Sequence, residues 1–216
     1  MMNIGDVVSF RIVMSETYSI ERDLKEAEAM AKALAYYVRQ ETLYGKVGSG
    51  GMFAGGNMPS LTVGALLLRL RRLSELTRSL DSSQTVRLRK TIHRNEQVLQ
   101  EWRSHYEQKM LREANSRLDA MQAFFEECER SPEFGAQVYK PEVLRRTIVQ
   151  ELLIVIEEQR LDSQNLPQKI QTIDNRLRRY VKRSEFIWAE ILQPIYPEST
   201  FWWLYQRPPL PVGKRK

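Results

Sequence analysis

The sequence predicts an all-α fold: an elongated helical bundle of about five helices, one of them very long and coiled-coil-like. Three observations predict it. Apolar residues recur three and four positions apart along most of the chain, the period of a helix buried on one face. Helix breakers are bunched, with six glycines between Gly45 and Gly56 and five prolines between Pro194 and Pro211. No segment carries a convincing strand alternation; the nearest, VVSFRIVM at 7–14, suits only a short edge strand.

From Glu16 to Tyr44, Ile20, Leu24, Ala27, Ala31, Leu34 and Val38 form one amphipathic stripe, and the small alanines admit a close neighbour. Gly45 ends this helix, and a flexible glycine-rich loop occupies 45–59. Ser60 is the expected N-cap of a second helix with the stripe Leu66, Leu70, Leu73 and Leu80. Between Gly64 and Pro132 there is then neither glycine nor proline. The one soft spot is LDSSQ at 80–84, where Asp81 and Gln84 suit a capping box. Beyond it an apolar stripe runs from Leu88 through Trp102, Tyr106 and Met110 to Phe125, predicting one helix to Ser131. Such a helix is about 70 Å long, against about 40 Å for a compact globule of this chain length. It must protrude or elongate the molecule.

Pro141 suits the first turn of the next helix, with Glu142 at its positive end. Apolar residues cover nearly every face around Leu152 to Ile156, so this helix should be the most buried. A last helix begins at Pro167. Its seam is Ile170, Ile173, Leu177, Tyr180, Ser184, Ile187 and Ile191, and Pro194 and Pro197 stop it. The chain thus divides into a helical bundle over 1–193 and a Pro- and aromatic-rich segment with a basic tail over 194–216.

Composition narrows the class. A 42% apolar share beside 28% charged residues suits a folded soluble chain. The single cysteine, Cys128 in FFEECER, excludes an internal disulfide, and its acidic neighbours disfavour a reactive thiolate. MMNIGDVVSFRIVM lacks the basic start of an export signal, and LTVGALLL and ELLIVI fall far short of the roughly 20 residues that span a bilayer. A cytoplasmic location is expected. The net charge of +6 is uneven: between Ser60 and Arg117 basic residues outnumber acidic ones two to one, whereas 118–142 is acidic.

Catalytic chemistry has little footing. GKVGSGG holds the letters of a phosphate-binding loop in the wrong order, with Lys46 ahead of the glycines. Amides at Gly55, Gly56 and after Ser60 remain available to an anion at a helix start. His93 and His105 face about 120° apart on a helix and cannot share a metal unaided. Glu101 and His105, at i and i+4, suit a surface pair. No nucleophile stands near a base in sequence, so neither an enzyme nor a cofactor is expected.

Two basic clusters invite a polyanion. RLRRL supplies Arg69, Arg71 and Arg72; RLRKTIHR supplies Arg87, Arg89, Lys90 and Arg94. On one helical arm they would bind phosphate backbone without reading bases. RPPLP resembles a polyproline ligand, but a Pro208–Pro211 reading needs a basic residue where Gly213 stands. In FWWLYQ, the rings of Phe201, Trp202, Trp203 and Tyr205 are too apolar to lie together on the surface of a monomer. They dock on the chain's own core, reaching back towards Phe186 and Trp188, or on a partner, while Pro208 to Lys216 stays free. The expected function is a non-catalytic helical scaffold or adaptor acting through helix–helix contacts with protein partners or a second copy of itself. The alternative is a nucleic-acid-associated protein using the arm at 69–94.

Overall fold

A computed structural model describes residues 18–47, 58–130 and 139–209. The candidate strand at 7–14, Gly55 and Gly56 of the loop, and the tail from residue 210 lie outside them. Among the described residues are six α-helices: α1 (Ile20–Val38), α2 (Val63–Glu75), α3 (Ser82–Glu101), α4 (Arg103–Arg130), α5 (Tyr139–Glu158) and α6 (Leu166–Tyr180). Strands β1 (Lys182–Arg183) and β2 (Gln206–Arg207) pair antiparallel, and short 3-10 turns fill Glu190–Ile195 and Trp202–Tyr205. None of these described helices is long and apolar enough to cross a membrane.

Helix α2 is the centre of the bundle. It packs against α1, α3, α4 and α5, and its buried face runs from Val63 through Leu66 and Leu70 to Leu73. Gly64 lets α5 approach closely, because a Cβ there would meet Ile148 Cγ2 at 2.4 Å and Leu152 Cδ1 at 3.1 Å. Helices α1 and α3 lie side by side and parallel: Glu21 and Glu28 meet Arg87 near their starts, and Ala31 and Ala35 face Val98 further on. The longest helix, α4, packs on α5 and α6. Buried apolar side chains from Leu24 to Leu204 join in one cluster.

Helix starts follow their caps. Ser19 accepts from Arg22 N at 3.2 Å, and Asp81 and Gln84 form the reciprocal capping box of α3. The N-cap of α2 is Thr62 rather than Ser60, its hydroxyl accepting from Ala65 N at 3.1 Å. Two hydrogen bonds pairing Leu61 with Gly45 hold the chain extended until that point. Gly45 therefore closes the base of the loop instead of ending α1, which stops at Val38. A side chain at Gly45 would strike the Tyr37 ring at 2.8 Å.

Two expected helices are shorter than the periodicity implied. The long helix over 85–131 is divided at Trp102, whose φ of −120° and ψ of 37° leave the helical region. The bonds Trp102 N to Val98 O and Tyr106 N to Trp102 O persist, so the chain bends and does not turn back. On a straight helix, positions 95 and 106 share a face but stand about 16 Å apart. Tyr106 nevertheless donates to Asn95 at 2.8 Å, which places the inside of the bend on that face. The last helix ends at Tyr180, not near Pro194. Backbone partners from the C-terminal segment replace its helical bonds: Ser184 N donates to Tyr205 O and Ile187 N to Leu204 O. Ile187 remains buried without being helical, and Ile191 is exposed.

Candidate functional site: buried charge clusters and the open α1–α3 face

The arginines grouped by the sequence do not share one surface. Arg69 lies between α1 and α2, reaching Glu26 Oε2 at 2.5 Å through Nη2 and donating to Ala65 O at 2.7 Å. Arg72 lies 3.6 Å from Asp23, donates to the Tyr196 hydroxyl at 3.1 Å and covers the Trp188 ring at 4.6 Å. Arg71 turns to α5, 3.6 Å from Glu151, and lies over the Phe201 ring. Arg87 binds Glu21 and Glu28 at 3.0 and 2.8 Å, and these bonds hold both α1 carboxyls below the usual carboxylate range, with Gln84 the main contributor at Glu21. Four of the seven basic residues are thus engaged within the fold.

Glu151 is the electrostatic oddity of this cluster. Its Oε1 and Arg71 Nε have no hydrogen-bond partner among the described residues, and the ion pair between them is long. Burial pushes its carboxyl up to about 7, against the opposing pull of Arg71 and Arg72. Burial likewise pushes the Tyr18 and Tyr196 hydroxyls beyond their ordinary range.

A second cluster clamps the base of the glycine-rich loop onto α4. Glu113 is fully buried, accepts from Gly64 N at 2.8 Å and pairs with Arg117 at 2.7 Å. Arg117 also reaches the Thr62 hydroxyl, and Lys109 donates to Thr42 O. The Tyr37 hydroxyl donates to Leu43 O at 2.6 Å. These groups serve to fix the two stems of the loop.

The C-terminal aromatics close the far side. Trp203 is 1% exposed, donates from Nε1 to Thr147 Oγ1 at 2.9 Å and lies 3.9 Å beneath the Arg146 guanidinium. Arg146 also pairs with Asp174 of α6 at 2.7 Å. Phe201 is buried against Tyr196, whereas Trp202 is half-buried under Arg178. Tyr205 is half-buried beside Phe186 and donates to Tyr196 O at 2.8 Å. Adjacent tryptophans therefore do different work, one in the core and one at its edge.

The remaining basic residues face outward. Arg89 and Lys90 are exposed, and Arg94 is half-buried on the flank nearest α1. Arg94 lines an open groove of about 570 Å³ with Lys32, Gln97, Gln100 and Glu101, floored by Ala31, Ala35 and Val98. Tyr36, one turn beyond Lys32, is 66% exposed. No motif singles out Lys32 or Tyr36. Only the parallel packing of α1 on α3 places Lys32 beside Arg94, and no local pattern records that packing.

Both histidines are exposed, His105 meeting the edge of the Trp102 ring. Among the described residues no group of three or more His, Cys, Asp or Glu side chains is placed to hold a metal ion. No family model matches the chain, and neither a curated protein nor a solved structure shows significant similarity to it.

Proposed function

We propose that the chain is a non-catalytic helical scaffold or adaptor that acts through helix–helix contacts in a larger assembly. The observation that carries this reading is the disposition of buried charge. Arg69 and Arg72 tie α2 to α1, Arg71 and Glu151 tie α2 to α5, Glu113 ties α4 to the start of α2, and Arg146 ties α5 to α6. Replacing such buried pairs by apolar residues is often neutral or stabilising, so they are weak evidence for stability. Their contribution here is to fix which helix meets which, and in what register. A frame of fixed register suits a protein whose task is to hold its outer surface in place.

Reconstitution tests this reading. Crosslinking the full chain in its native extract yields its neighbours, a second copy included. Each is then purified, combined with the chain and sized by light scattering. A complex of defined stoichiometry supports the scaffold; a chain that stays monomeric beside every crosslinked neighbour contradicts it.

A further inference from the structure

We infer that the α1–α3 face binds single-stranded nucleic acid, with Lys32, Lys90 and Arg94 on the phosphates and Tyr36 stacked on a base. This goes beyond the scaffold reading and stands or falls separately from it.

The first argument is charge. Among the described residues, Lys90 and Arg94 have no hydrogen-bonded or ion-paired partner, unlike neighbouring Arg87, and Lys32 feels only the field of Glu28, one turn before it and already bonded to Arg87. Lys90 and Arg94 stand one helical turn apart on α3, and Lys32 faces Arg94 across the groove. The acidic groups that would offset them are engaged or displaced. Glu21 and Glu28 are bound to Arg87, Glu101 lies at the far end of the groove, and Glu96 projects from the opposite side of α3 to Arg94. A cluster of cations in excess of its carboxylates is the footprint of a polyanionic backbone.

The second argument is the ring. Tyr36 stands clear of the surface one turn from Lys32. Proteins that bind single strands combine a cationic track with exposed aromatic side chains on which unpaired bases stack. A duplex offers no free base face to such a ring. An acidic peptide would want an apolar pocket, but the groove is shallow and floored mainly by alanine methyls.

The test is fluorescence anisotropy of a labelled oligothymidylate titrated with the full chain at low salt. Binding should weaken with salt, with a log–log slope of about −2 for three phosphate contacts. Combining Lys32→Gln, Lys90→Gln and Arg94→Gln should cut affinity at least tenfold and flatten that slope by about 2. Tyr36→Ala should also weaken binding while Tyr36→Phe does not, and thermal melts should show every variant folded. The inference is overturned by absent binding at low salt, or by a folded triple variant that binds as tightly. Equal affinity for duplex with no effect of Tyr36→Ala also overturns it. So does complete displacement of the oligonucleotide by polyglutamate at equal charge, which would mark the face as one for an acidic protein.

Discussion

Trp203 and Trp202 are neighbours with opposite environments, which makes them an internal control. Trp203 fills the space between α5 and the C-terminal segment and hydrogen-bonds to Thr147. Trp203→Ala should cost about 3–5 kcal/mol in urea denaturation, whereas Trp202→Ala, at the rim, should cost less than half of that. Equal losses would mean that the pair is not divided between core and edge. Glu151 gives a second prediction, in pH. Its carboxyl is raised from 4.5 to about 7 by burial, so between those values the folded chain holds a proton that the unfolded chain has released. Stability from this group is full below about pH 4.5 and lost as pH rises through about 7, a change of about 3 kcal/mol. Glu142, also raised to about 7 by burial, adds to the same slope. Urea midpoints at pH 5 and pH 8 should therefore differ, and Glu151→Gln should shrink the difference by about half. A variant with the full pH slope would place the titration elsewhere.

At the scale of elements, the end of α5 shows how a fold absorbs a local cost. Leu161 N bonds to Ile156 O and Arg160 N to Glu157 O, the paired bonds of a Schellman motif. The left-handed position, usually glycine, is held by Arg160 at φ 52°. Arg160→Gly should raise stability by about 1 kcal/mol in denaturant melts; a loss would mean that the arginine side chain contributes more than its backbone costs. Other element boundaries were legible to differing degrees, for physical reasons. The capping box at Asp81 and Gln84 is a local device, legible in the four residues that form it. The two helix ends at Trp102 and Tyr180 depend on contacts that the helical period does not record. Asn95 and Tyr106 settle the first, and the backbone of 204–205 settles the second. The seam at Ser184, Ile187 and Ile191 kept helical spacing by coincidence. The density of aromatic residues from Phe186 to Tyr205 was the better signal there, being too large for one helix face.

For the whole molecule, the helical class and the starts of α3 and α6 were legible because they rest on periodicity, capping and a proline in the first turn. The fate of the arginines was not. Arg71, Arg72 and Arg89 look alike in sequence, yet the first two fold inward onto Glu151 and Asp23 and the third stays in solvent, a distinction made only by packing. The central claim is that helices and C-terminal segment form one frame braced by buried charge. Amide hydrogen exchange of the full chain tests it most directly. The amides of Ile187 and Leu204, which bond within the C-terminal segment, should open together with those of Leu66 to Leu73 in α2, at one common free energy. Exchange of Ile187 and Leu204 at nearly unprotected rates, while α2 stays closed, would contradict it.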